Sequence, residues 1–218
     1  MEAERYNQQQ RRPRKVAMSD SELKNTDASP PAGSAPAANG KPIAYKRCGP
    51  GESIPDPRPG DIVLVRGVGW LGKTIRFGLR MRYRSSRDRS LAHWSHAGII
   101  VSSQGHLIEV VPSGVVLNHL ENYRDYEYHY VYLDLSAADR ARASSYAYSC
   151  IRQKYDRLGF VLLTLATLTG EWFEVPERGK QGCVTLIARA LQRAGVTFAR
   201  RPTDMTPADL AKNFGVTP

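Results

Sequence analysis

From Ile62 onward the apolar residues fall into short blocks separated by turn residues. Ile62-Val63-Leu64-Val65 is a continuous apolar run launched by Arg58-Pro59-Gly60-Asp61, the pattern of a strand covered on both faces. Four more strand patterns follow: Ala97 to Val101, His106 to Val111, Gly114 to Leu117 and Tyr128 to Leu135. Gln104-Gly105 and Ser113-Gly114 supply tight turns between the first three of these. Connections this short join antiparallel neighbours, because a parallel crossover needs a dozen residues or more. Leu71, Ile75, Leu79 and Arg82 recur at helical spacing and predict a helix from Leu71 to Tyr83, followed by an exposed loop from Ser85 to Ala92. Ser136 is placed to cap a helix running to about Lys154, and a second, very apolar helix spans Leu158 to Leu168. Glu171 to Gly182 reads as a loop. A helix opening at Cys183 then runs to the stop signal Ala194-Gly195. Thr206 and Pro207 are the N-cap and first residue of a last short helix. The fold class is α+β, an antiparallel sheet flanked by helices.

Residues up to Arg58 do not follow this pattern. Gln8-Gln9-Gln10-Arg11-Arg12 and Ser29-Pro30-Pro31-Ala32-Gly33-Ser34-Ala35-Pro36 hold too little apolar surface to offset chain entropy, so 1–58 is expected to be a disordered tail and 59–218 the folded domain. The 218 residues suffice for one such domain plus the appendage. The formal net charge of +10 points to acidic company: nucleic acid, an anionic polymer or a membrane surface. The basic clusters are Arg11, Arg12, Arg14 and Lys15 in the tail, and Arg76, Arg80, Arg82, Arg84, Arg87 and Arg89 in the domain. Either set would contact an anionic polymer, or simply keep the chain soluble. Met1 to Lys15 lacks the apolar core of a signal peptide. The longest apolar run, Phe160 to Leu168, is well short of the roughly 20 residues that span a bilayer. A cytoplasmic or virion-associated protein without a transmembrane span is the expectation.

Cys48, Cys150 and Cys183 are too few and too irregularly spaced for a disulfide framework or a zinc site, and no cofactor or metal is expected. Cys183 differs from the other two. It follows a glycine and starts a helix whose amides favour an anion, whereas Cys48 lies in a Gly-Pro turn and Cys150 inside an amphipathic helix. His96 stands at the mouth of the strand Ala97 to Val101, and Glu109 lies on the next strand among apolar neighbours, where a carboxylate wants a partner. A base, an orienting carboxylate and a thiol at a helix start are the parts of an activated cysteine nucleophile. Each also has a simpler reading: His96 as a satisfied core histidine, Glu109 as a strand carboxylate balancing the arginines, Cys183 as a small buried hydrophobe. His106, His119 and His129 fall in turn or edge positions without an evident partner.

Gly67-Val68-Gly69-Trp70-Leu71-Gly72-Lys73-Thr74 competes with this, because it matches the phosphate-loop pattern in full and Asp134 ends a strand that would suit its magnesium ion. Against it stand the close strand spacing after Thr74, which excludes a parallel sheet, and the bulk of Trp70 and Leu71 where amides must wrap a phosphate. A non-catalytic binding or assembly protein is the other alternative.

Taken in order, Pro59-Gly60-Asp61-Ile62-Val63-Leu64-Val65-Arg66-Gly67, Ser95-His96-Ala97-Gly98-Ile99-Ile100, Ile108-Glu109, Lys154-Tyr155-Asp156 and Gly182-Cys183 resemble the circularly permuted NlpC-type papain-like proteins, with the YiiX/YaeF group among them and the lecithin retinol acyltransferase group as a relative. The likeness runs from about Pro59 to Gly195. It implies a permuted papain-like domain in which Cys183 is the nucleophile, His96 the general base and Glu109 the group orienting the imidazole. Tyr155 is then placed near the pocket as a hydrogen-bond donor, and Tyr155 and Trp94 are the expected substrate-binding side chains. The implied activity is a cysteine hydrolase or acyltransferase acting on a peptide, glycopeptide or lipid-type acyl substrate through an acyl-enzyme. Many relatives carry Ser and Glu after the cysteine where Val184 and Thr185 stand here, which leaves the substrate open.

Overall fold

The computed structural model describes residues 41–67, 73, 76–77, 80, 86–111, 113–153 and 182–218. Six strands, β1 (Pro42–Cys48), β2 (Ile62–Val65), β3 (His96–Ile100), β4 (His106–Val111), β5 (Gly114–His119) and β6 (Tyr128–Leu133), form one sheet in the order β1-β6-β2-β3-β4-β5. Every described pair is antiparallel. Four α-helices lie among the described residues: α1 (Ser86–Leu91), α2 (Ala137–Ser149), α3 (Cys183–Arg193) and α4 (Pro207–Asn213). The architecture is α+β with an antiparallel sheet, and none of the described helices is long and apolar enough to cross a membrane.

The sheet is covered on both faces, which is why its central strands read as unbroken apolar runs. On one face Ile62, Leu64, Ala97, Ile99, Ile108, Val110, Val131 and Leu133 meet the buried residues of α2, α3 and α4. On the other, Val63, Val65, Ile100, Leu107, Tyr128 and Tyr130 are covered by Cys48, Ile54, Leu120 and Tyr123. α3 packs directly over β3 and β4 and is flanked by α2. Ser136 caps α2 by accepting from the Asp139 amide, and Thr206 and Asp209 form a reciprocal capping box at the start of α4 with Pro207 in its first turn.

One buried carboxylate ties the end of β2 farthest from His96 to its surroundings. Asp61 accepts from Tyr130 Oη at 3.0 Å, the Leu133 amide at 2.9 Å, Arg140 Nη1 at 2.9 Å and Arg58 Nε at 3.1 Å. With its oxygens satisfied by strand, helix and loop, this charge fixes β2 against β6 and α2.

Three expectations change. The folded domain does not begin at Pro59, because β1 lies ahead of it and pairs with β6 from Pro42 to Cys48. β1 is an edge strand exposed along most of its length, so it carries no apolar alternation to announce it. The stretch from Ser85 to Ala92 is not a plain loop: Ser86–Leu91 is helical, and the buried Leu91, Ala92 and Trp94 draw its end into the core. His129 is not at an edge or turn but on β6, an interior strand, and is buried. The expected helix Leu158 to Leu168, most of Leu71 to Tyr83 and of Gly67 to Thr74, Lys154-Tyr155-Asp156 and residues 1–40 lie outside the described residues.

Candidate active site

The site is assembled from the first residue of β3, the middle of β4, the end of β5 and the start of α3. Glu109 pairs with Gly98, two residues along from His96, so the strand register makes His96 and Glu109 diagonal neighbours. A side chain at Gly98 would bring a Cβ within 2.5 Å of Leu107 Cδ1 and 3.3 Å of Val63 Cγ2, so any larger residue here forces Leu107 to move. The turn before His96 is fixed as well: the Ser95 amide donates to the Val65 carbonyl, and Ser95 Oγ accepts from the Gly67 amide at 2.9 Å.

α3 is buried on nearly every side through Val184, Leu186, Ile187, Ala188, Ala190 and Leu191, which gives Cys183 a rigid seat. Its N-cap is Gly182 in extended conformation, which has no side chain to cap the first-turn amides. All three cysteines are free thiols; Cys48 and Cys150 are buried, and Cys183 alone is partly exposed.

His96 joins the two layers of the fold. The Cys183 thiol, which belongs to the helix layer, lies close enough to its ring to be among the groups that raise its pKa. The ring's Nε2 lies 2.5 Å from Glu109 Oε2, on the strand face that packs toward Tyr123. Burial alone would lower the His96 pKa. The hydrogen bonds to Cys183 and Glu109, with their charges, outweigh it and raise the pKa to about 10. Glu109 is only 1% exposed, and burial would raise its pKa. His96, Tyr123 and Asn118 together turn that into a net lowering. At neutral pH the pair is therefore an imidazolium beside a carboxylate.

Of the residues expected from the sequence, the structure brings His96, Glu109 and Cys183 together. Trp94, expected at the substrate site, is fully enclosed, its ring 4.6 Å from His93 and 4.4 Å from His129. Tyr155 lies outside the described residues. Among the described residues no group of three or more His, Cys, Asp or Glu is arranged to hold a metal ion. Two residues of the cluster were missed: Tyr123 Oη donates to Glu109 Oε2, and Asn118 Nδ2 donates to Glu109 Oε1. Asn118 left a signal, since it is a polar residue on the same face of its strand as Val116, opposite Glu109. Tyr123 left none, because it arrives from a 3-10 turn, Leu120–Tyr123, whose position depends on the sheet.

No protein-family model matches the chain and no curated protein matches it.

Proposed function

We propose that the chain is a cysteine-nucleophile hydrolase or acyltransferase acting on an amide or ester carbonyl. The observation that carries the reading is the His96 ring held between the Cys183 thiol and the buried Glu109 carboxylate. With Nε2 committed to Glu109, the proton exchanged with Cys183 passes through Nδ1. The attacking species of such a pair is the thiolate, its proton held on the His96 ring. Sγ adds to the carbonyl carbon, and amides at the start of α3, where Cys183 sits, are the candidate donors to the developing oxyanion. His96 then returns its proton to the leaving amine or alcohol as the thioester forms. Water or an acceptor hydroxyl or amine, deprotonated by the same ring, resolves the thioester and frees Sγ. Glu109 holds the tautomer and stabilises the imidazolium without taking its proton.

The order His96, Glu109, Cys183 along the chain supports a permuted NlpC-type, papain-like assignment by resemblance, with a peptide, glycopeptide or lipid-type acyl donor. A phosphate-loop reading of Gly67 to Thr74 is disfavoured by β2, which pairs antiparallel with both of its neighbours.

The test is the alkylation rate of each cysteine against pH, read by mass spectrometry, in wild type and His96→Ala. Cys183 should react fast in wild type at pH 6. In His96→Ala it should slow by about 300-fold, the thiolate fraction of an ordinary thiol at that pH. An activated ester should leave its acyl group on Cys183, and Cys183→Ala should not turn over. A Cys183 that alkylates no faster than the buried Cys150 would sink the catalytic reading and leave a binding or assembly role.

A further inference from the structure

We propose that Tyr123 and Asn118 are positioning residues that keep Glu109 an oriented carboxylate, and that through it they set the acid limit of the His96–Cys183 pair. The inference rests on the catalytic reading above and adds two residues that neither strand pattern nor resemblance marks.

The geometry leaves Glu109 few alternatives. Its Oε2 accepts from both His96 Nε2 and Tyr123 Oη, and its Oε1 accepts from Asn118 Nδ2. These donors come from three different elements, β3, the 3-10 turn and β5, so the carboxylate plane is held from three directions. The orientation of the Asn118 amide is settled by its other end. Asn118 Oδ1 accepts from the His119 amide at 2.9 Å and from Asn122 Nδ2, which turns Nδ2 toward Glu109. The turn that delivers Tyr123 is itself capped, His119 Nδ1 accepting from the Glu121 amide at 3.2 Å. Tyr123 is 2% exposed and its ring lies in the core on the sheet face away from α2 and α3.

A buried carboxylate with one charged neighbour has two ways to lower its energy: stay ionised against the imidazolium, or take a proton and become a neutral acid. Neutral donors decide between them. A phenol hydroxyl and an amide N–H both stabilise the anion, and neither can supply the proton that would neutralise it at neutral pH. Remove one, and Glu109 protonates at a higher pH. His96 then loses its counter-charge while still buried, releases its proton more readily, and no longer supports a thiolate on Cys183. The groups that face Glu109 in this balance are His96 from β3, Tyr123 from the turn and Asn118 from β5, with Cys183 of α3 beyond the ring.

The experiment uses full-length wild type, Tyr123→Phe and Asn118→Ala, with two readouts. The first is the pH profile of Cys183 alkylation by iodoacetamide. In Tyr123→Phe its acid limb should move up by about one pH unit, which makes alkylation about tenfold slower on that limb, while the alkaline plateau stays where it was. Asn118→Ala should move the limb in the same direction. A purely structural tyrosine would lower the melting temperature or the plateau without moving the limb. The second readout is the ¹³C resonance of the Glu109 carboxyl against pH, assigned with Glu109→Gln, which needs no reactive cysteine. It should titrate at higher pH in both variants. If the carboxyl titrates in Tyr123→Phe and Asn118→Ala as it does in wild type, the positioning role is wrong, even where Cys183 proves to be the nucleophile. If Cys183 is unreactive at acid pH in wild type while the carboxyl still shifts, the positioning role stands and the catalytic reading falls.

Discussion

Two histidines flank β2 near the same end of the sheet, and the protein treats them in opposite ways. His96 pairs with Val65 on one side, and His129 pairs with Leu64 on the other. Both are largely removed from water, with the His96 side chain 14% exposed and His129 1% exposed. Yet the first is raised to about 10 and the second is lowered to about 4. Burial pushes both down. Their partners differ. Glu109 and Cys183 hold His96 from either side. Neither ring nitrogen of His129 has a hydrogen-bond partner among the described residues, and its ring is instead packed between Tyr45 at 5.5 Å and Trp94 at 4.4 Å. Burial, then Arg47, disfavour its charged form, and Glu127 only partly offsets them. An imidazole buried among rings is a neutral packing group; one buried between a thiol and a carboxylate is a cation.

The largest expected effect on this contrast is on stability in acid. A histidine whose folded pKa lies below its unfolded value of about 6.5 binds more protons when unfolded. His129 therefore costs no stability above pH 6.5, and stability drains away as pH falls toward its folded pKa of about 4, by at most about 3 kcal/mol. His96 has the opposite sign: its contribution is complete below its unfolded pKa and is lost as pH rises through about 10. Urea unfolding of His129→Leu should show a shallower loss of stability between pH 6.5 and 4 than wild type shows, with the alkaline side unaltered. Equal acid slopes in the two proteins would mean that His129 is already charged in the fold.

The same contrast explains how far the sequence could be read. β2 and β4 are legible to the residue because each is a short, mostly apolar run bounded by turns, and Ser136, Thr206 and Gly195 mark helix ends by local chemistry alone. His96, Glu109 and Cys183 could be singled out because each is a reactive type in a telling local setting: a strand mouth, an apolar strand and a helix start. β1 is not, since its pairing with β6 is made by backbone groups that any sequence supplies. His129 and Tyr123 are not either. Whether a histidine in Tyr128-His129-Tyr130 is buried depends on what folds over it, here Trp94 and Tyr45 from distant parts of the chain. Likewise, the Tyr123 hydroxyl reaches Glu109 only once β4, β5 and the 3-10 turn are in place.

A second way to break the contrast acts on register. Gly98→Ala puts a methyl group within 2.5 Å of Leu107 Cδ1, a clash that side-chain movement alone must relieve inside a closed core. The cost should be about 2 kcal/mol, typical of an extra methyl in a packed site. Because Gly98 is the register partner of Glu109, any shift of β3 against β4 that accommodates the methyl also moves His96 relative to Glu109. Cys183 alkylation at pH 6 should slow, while the His129 titration followed by NMR stays in place. A variant as stable and as reactive as wild type would show that β3 and β4 have room the structure does not display.

The smallest effect is expected from uncovering the second histidine. Tyr45 is 41% exposed on the edge strand, its ring stacked over His129 with an interplanar angle of 18°. Its hydroxyl meets Thr217 Oγ1 at 3.0 Å, which ties the chain's last residues to β1. Tyr45→Ala removes that lid and admits water to the imidazole, leaving the Trp94 contact in place. Stability should change by no more than about 1 kcal/mol, because the ring is already half solvated. The His129 pKa should nevertheless climb from about 4 toward the ordinary histidine value. NMR titration of the His129 ring reads this directly, with His96 as the internal reference that should not move. A His129 that stays near 4 in Tyr45→Ala would place the cause in Arg47 rather than in burial, and Arg47→Ala would then be the variant that raises it.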